Sequence, residues 1–204
     1  MDMPKYEKIT APELARKIFA SFSYTKELPE EQVNNLIIEG IGLGNRLAQE
    51  IKARYPGLVP SQIASKCGVK VLYDDSEKNN PRYVKFAEYH VKKNEIHLNG
   101  NVIRFLDKLL QTDDTAEIII AHELFHYYEM AEFGLISKKY SFKRKIFGFL
   151  EIIQSLLPMS EIAASSFSKV LAGISFEPKI LEKMYFDNIT AEAPTVPKKK
   201  GLLR

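Results

Sequence analysis

Apolar residues recur at helical spacing at Leu14, Ile18 and Phe22, and again at Val33, Ile37, Ile41, Leu47 and Ile51. That pattern predicts one helix over 12–22 and a longer one from Pro29 to Tyr55. Pro29 suits a helix start, Glu30 and Glu31 complement its positive end, and Pro56-Gly57 stops it. Gly40, Gly42 and Gly44 interrupt the long stripe. They do not make a phosphate loop, because no strand precedes them and Asn45 and Arg46 break the G-x-G-x-x-G spacing. A packing role is expected instead.

Alternating and β-rich stretches follow. Val69–Tyr73, Tyr83–Val91 and Glu95–Leu98 are expected strands, the last two joined as a hairpin through Lys92-Lys93-Asn94, with Asp74–Pro81 as a polar loop. Before them, Ser61 is expected to cap a short helix through Lys66, closed by Gly68. Val102–Leu110 is read as a helix. Asp114 with Glu117 has the form of a capping box opening a helix to about Phe133, with Gly134 as its stop. Ile118-Ile119-Ile120-Ala121 makes that helix apolar on nearly every side, so it belongs inside the domain.

Beyond it, a basic turn over Lys138–Lys145 leads to an expected apolar helix over 146–157, broken at Pro158. A helix from Ser160 to about Ala172 and a last short one over 178–186 complete the series. The pattern predicts an α+β fold, with helices packed on a small three-stranded sheet. Its organisation is an N-terminal arm and helix (1–30), a main domain (31–186) and a mobile C-terminal tail (187–204).

Composition changes this picture little. The 204 residues are 45% hydrophobic and 27% charged, and 29 Lys and Arg against 26 Asp and Glu leave a net charge of +3. That excess is too small to argue for nucleic acid. Cys67 is the single cysteine, so no disulfide framework exists within the chain. Neither a leader nor a membrane span is expected from the first residues or from any apolar run. A cytoplasmic location is the natural expectation.

The chemistry-bearing pattern is His122-Glu123-Leu124-Phe125-His126. Histidines four apart on a helix project from one face, where both can reach one Zn2+ at about 2.0–2.1 Å. Glu123 lies roughly 100° around the helix, beside the metal and not on it. There it can accept a proton from water activated by the metal and return it to a leaving amine. Those residue types at that spacing share one chemical rationale, peptide hydrolysis.

Two histidines leave a catalytic zinc one protein ligand short. Glu129 continues the same face, but seven residues of helix rise about 10.5 Å, too far for both ends to meet one ion. Glu161 opens a later helix, and Ala163, Ala164, Ser165 and Ser166 after it permit close packing. Geometry alone leaves Glu161 equally a ligand or a first-turn carboxylate satisfying a helix dipole. His90 and His97 on the hairpin are the weaker candidates. Tyr127, Tyr128 and Tyr140 offer oxyanion-stabilising hydroxyls, but tyrosines near an apolar helix are more often core, and none is assigned.

The stretch Ile119–Tyr128, together with Glu161-Ile162-Ala163-Ala164-Ser165-Ser166-Phe167 and the strand end Ile96-His97-Leu98-Asn99, resembles the ImmA/IrrE-type metallopeptidases over about residues 31–173. The chain departs from many members at Ser165, where they carry Asn or His. The resemblance implies a gluzincin-like site in which Glu161 joins His122 and His126 as metal ligands and Glu123 is the catalytic base. It also implies an intracellular zinc peptidase acting on protein or peptide substrates, a transcriptional repressor among them; no membrane partner is expected, since no apolar run is long enough to span a bilayer.

Two other readings compete. Ser61–Gly68 resembles the first half of a helix-turn-helix, but the β-rich Val69–Tyr73 stands where a recognition helix is required, so direct nucleic-acid binding is not expected. A metal-holding regulator without hydrolysis would not need a base such as Glu123 beside the ion. A final expectation is that an extended substrate pairs with an exposed edge of the strand ending at His97-Leu98-Asn99.

Overall fold

The computed structural model describes Tyr6, residues 8–76 and residues 84–192. The expected start of the N-terminal arm, part of the expected 74–81 loop, Tyr83 and most of the expected C-terminal tail lie outside the described residues.

Helix α1 (Ala11–Ser21) and the long α2 (Glu30–Arg54) follow the two apolar stripes. The short α3 (Pro60–Lys66) starts on Pro60 rather than on a Ser61 cap. The Ser61 N–H instead donates to the Glu117 carboxylate at 2.8 Å, so Glu117 closes a helix start on another element. The expected Asp114–Glu117 capping box does not form.

Strands β1 (Lys70–Asp74), β2 (Ala87–His90) and β3 (Glu95–Asn99) make one sheet in the order β1-β3-β2. β1 runs parallel to β3 and occupies the place a recognition helix would need, whereas β2 is antiparallel to β3. The hairpin is therefore as expected, but β3 is the central strand and is paired on both sides. The expectation that an extended substrate adds to the strand ending in His97-Leu98-Asn99 is overturned, since no edge remains there. The edge nearest the helix that carries His122 and His126 is β2.

Helix α4 (Gly100–Leu110) begins directly after β3, capped by Asn99, whose side chain accepts the Val102 N–H at 3.2 Å. Helix α5 (Thr115–Tyr128) is buried on most sides and ends in a wider π-helical turn over Glu129–Phe133, with Gly134 at φ 71° as its stop. A single turn, α6 (Ile136–Lys139), comes next.

The expected helix over 146–157 is absent. Its residues belong to a β-hairpin, β4 (Ser141–Ile146) and β5 (Leu150–Ser155), which forms a second, two-stranded sheet. Phe142, Arg144 and Ile146 alternate with Ser141, Lys143 and Lys145, a period-2 pattern that continues past the turn. Helix α7 (Leu157–Ala172) starts three residues before Ser160, with Pro158 in its first turn. Helix α8 (Ile180–Glu192) runs past Asp187, where the tail was expected to begin; the rest of that tail lies outside the described residues.

The core sits where α5 and α7 meet each other, with α2 across the outer side of α7 and the sheet against α5. Gly40 and Gly44 explain how closely α2 can lie on α7. A Cβ on Gly44 would stand 2.2 Å from the Ala163 carbonyl oxygen, and one on Gly40 would stand 3.1 Å from the Ile162 side chain. The interrupting glycines thus serve packing, as expected for those two, while Gly42 would meet only the Arg46 side chain. Among the described residues, no helix is long and apolar enough to cross a membrane.

Candidate metal centre

Helix α5 places His122 and His126 on one face, their ring centroids 5.2 Å apart. Helix α7 crosses that face and brings Glu161 between them. One carboxylate oxygen lies 3.7 Å from His122 Nε2 and the other 3.8 Å from His126 Nε2. These separations are too long for hydrogen bonds. Two atoms each bonded to one tetrahedral zinc stand about 3.3–3.4 Å apart, so the gap matches ligands around an ion to within a few tenths of an ångström. Among the described residues this is the one group of three or more His, Cys, Asp or Glu side chains whose ligand atoms lie within 4.8 Å of one another, and it can hold a metal ion.

The position of Glu161 separates the two readings left open by the sequence. Because α7 starts at Leu157, Glu161 lies beyond the first turn, which contains no acidic residue. A carboxylate there does little for the helix dipole, whose effect fades within that turn. Its approach to both imidazoles is what the small residues allow: Ala163, Ala164, Ser165 and Ser166 are all buried in the same helix.

Electrostatics agree with a site built for a cation. Burial raises the pKa of Glu161, but the neighbouring imidazole of His122, with His126 and Lys179 nearby, outweighs it and brings the carboxyl down to about 2. For His126, burial disfavours the charged ring; the hydrogen bond to Glu129 and the charges of Glu123 and Glu161 outweigh that and raise its pKa.

Glu129 is no ligand, as the helix rise requires, but it has a role the sequence did not reveal. Its buried carboxylate lies 2.9 Å from His126 Nδ1, accepts the Ile136 N–H at 3.0 Å and accepts the Ser160 hydroxyl at 2.6 Å. With Nδ1 so engaged, His126 carries its proton there and turns Nε2 toward Glu161. The only sequence signal was the i, i+3 spacing from His126. Ile136 and Ser160 come from elements whose approach the sequence does not encode locally.

Glu123 is 9% exposed, and one of its oxygens accepts the Tyr89 N–H of β2 at 2.9 Å. This main-chain bond engages one oxygen of the carboxylate, and the residue lines a cleft. That cleft, of about 440 Å3, is lined by His122, Glu123, Glu161 and Ser165 and by apolar groups including Phe86, Ile118 and Leu181.

The remaining candidates lie elsewhere. His90 and His97 are on the outer sheet face, each paired with its own carboxylate: Glu88 at 3.1 Å and Glu95 at 2.8 Å. Tyr128 is fully buried with its hydroxyl 3.2 Å from Cys67 Sγ, and the Tyr140 hydroxyl donates to Glu39. Tyr127 packs edge-on against Tyr89. None of the three lines the cleft. No family model, no curated protein and no solved structure matches the chain.

Proposed function

We propose that the chain is a zinc-dependent peptidase of the type its sequence resembles. The observation that carries the reading is Glu161 facing the Nε2 atoms of both His122 and His126 at 3.7 and 3.8 Å, with Glu123 anchored beside them. Two imidazoles and one carboxylate suit zinc and leave a coordination position open, which separates a catalytic site from a closed structural one. When bound, zinc supplies Lewis acidity, acidifying a water molecule and polarising a peptide carbonyl.

The chain's own groups supply the rest. Glu123 takes up the proton of the attacking water on the oxygen that Tyr89 leaves free, then delivers it to the departing amine. Glu129 keeps the His126 ring from turning. Edge strand β2 offers main-chain groups to an extended substrate. Phe86 accepts the Asn99 N–H and Glu88 lies opposite His97, so alternation turns the Ala87 N–H and C=O away from β3, at the cleft wall. The apolar cleft residues suit an apolar substrate side chain. Regulatory cleavage inside the cell, of a repressor among other proteins, extends the same reading by resemblance.

Glu123→Gln tests it. Both proteins should bind about one zinc per chain, while the variant loses peptide hydrolysis by about 10²–10⁴-fold, read by mass spectrometry of an unfolded protein substrate. Equal turnover by the two metal-loaded proteins ends the assignment.

A further inference from the structure

The β4–β5 hairpin carries the two most exposed large apolar side chains described, Phe147 at 85% and Phe149 at 83%. They flank Gly148 in the three-residue turn between the strands, and Leu150 and Ile153, on opposite faces of β5, are exposed as well. The same segment concentrates charge. Residues 138–155 contain five basic residues, Lys138, Lys139, Lys143, Arg144 and Lys145, against Glu151 alone. The whole chain is only +3, so the remainder is slightly acidic.

The turn itself does not explain its sequence. Phe147 adopts φ 53° and Gly148 φ 77°. Position 148 has the residue that geometry favours, but position 147 would be served better by Asn or Asp, since a bulky side chain is strained at positive φ. A large aromatic group is therefore held in water, in an unfavourable backbone conformation, at the point of a hairpin. A two-stranded hairpin is marginal alone, and this one is tied down at its base by Leu156 N–H to Tyr140 C=O at 2.8 Å and along β4 by Arg144 to Glu27 at 2.7 Å. Its tip has no such support.

We infer that the hairpin is a docking tip for an anionic lipid surface. Phe147 and Phe149 enter the boundary between headgroups and acyl chains, while Lys145 and Lys143 remain among the headgroups. The spacing fits. Lys145 stands two residues behind Phe147, about 7 Å along a strand, and interfacial apolar groups sit about 5–10 Å deep. In the register, Lys143 lies opposite Ile153 and Lys145 opposite Glu151, so both lysines share the strand face that carries exposed Ile153. Lys143 also contacts Glu151 at 2.9 Å, but both side chains are exposed and can exchange partners at a charged surface. A bilayer accepts a convex aromatic point; an acidic protein would need a pocket shaped to it, and nucleic acid gains little from two phenyl groups beside a turn. This departs from the expectation of no membrane partner. It is independent of the metal site.

Sedimentation with vesicles tests it, using the full chain at low salt with and without a chelator. Vesicles of phosphatidylcholine alone are compared with equal parts phosphatidylcholine and phosphatidylglycerol. The wild type should partition into the anionic vesicles about tenfold or more strongly than into the neutral ones. F147N/F149S should lose about tenfold or more of that binding, and its fold should survive because Asn suits the positive φ. K143Q/K145Q should lose the preference for anionic over neutral vesicles. Circular dichroism and thermal melting show whether each variant is folded. Wild-type protein left in the supernatant with both vesicle types overturns the inference, as does equal sedimentation of wild type and a folded F147N/F149S. Binding to polyglutamate or duplex DNA without binding to vesicles also overturns it, in favour of an acidic macromolecule.

Discussion

The four histidines form two pairs, and both pairs have glutamates beside them, yet only one belongs to a group that could hold a metal ion. On the sheet, His90 and His97 stack with ring centroids 4.3 Å apart, and each Nε2 is already satisfied by a carboxylate on its own strand. On helix α5, His122 and His126 leave both Nε2 atoms toward a single carboxylate from another helix, at distances no hydrogen bond can span. Composition is nearly the same. What differs is which ring nitrogen is engaged, and by what. A glutamate on Nδ1, as at His126, frees Nε2 for an ion; a glutamate on Nε2 occupies the atom an ion would need.

The largest expected effect sharpens that contrast at Glu161. Glu161→Ala should weaken zinc binding by more than about 100-fold, beyond the range seen when an outer partner is lost. Competition with a chromophoric chelator measures it, and affinity within a few-fold of wild type would remove Glu161 from the ligand set.

Glu129→Ala should come next, at about 10–100-fold in zinc affinity. The metal-free protein should also lose about 1–3 kcal/mol in denaturant unfolding, because the buried Ile136 N–H and Ser160 hydroxyl lose their acceptor. If the stability falls but the affinity does not, Glu129 is a structural bridge only.

These two glutamates also mark how far the sequence could be read. The i, i+4 histidines and the buried helix under them are local patterns, so residues 115–133 were legible almost to their ends. Glu161 is ambiguous in the sequence because its meaning depends on where α7 begins, and Pro158 reads as a break where it serves as a start. The run 146–157 reads as a helix because the apolar residues on both sides of a turn add up to one continuous stretch. Gly148 between two phenylalanines, with β-branched Ile146, Ile152 and Ile153 around it, was the neglected signal. The central place of β3 depends on a parallel partner 25 residues earlier in the register, a pairing that no local pattern announces.

A smaller effect concerns pH. With its pKa near 2, Glu161 stays ionised over the working range and adds no pH dependence there. His126 is raised above its ordinary value of about 6.5, so in the metal-free protein its protonation favours the folded state. That contribution is full below about 6.5 and is lost as pH rises through the raised value. Zinc demands the neutral ring, so affinity should fall about tenfold per pH unit for each displaced proton as the solution becomes acidic. Glu129→Gln should move the break to lower pH, because the group raising the His126 pKa is gone. An affinity independent of pH through this range would contradict the assignment of His126.

The smallest expected effect is at the other pair. His90→Ala with His97→Ala should leave zinc stoichiometry and affinity unchanged within about twofold, since neither approaches the centre that outer partners tune. A clear loss would mean that the sheet face communicates with the metal, and the contrast between the two pairs would fail.

The closeness of Gly44 to Ala163 has a consequence for the space between the ligand atoms. Ala163 is two residues beyond Glu161 on the same helix, and a Cβ at position 44 would meet its carbonyl oxygen at 2.2 Å. Relieving that collision requires about an ångström of retreat by α7. Because α2 lies across the outer side of α7, that retreat would press α7 toward α5 and the Glu161 carboxylate toward the two imidazoles, crowding the space between the three ligand atoms. The room left for an ion would thus depend partly on a glycine that contributes no ligand, and a single methyl group added at position 44 would act on the site from a distance.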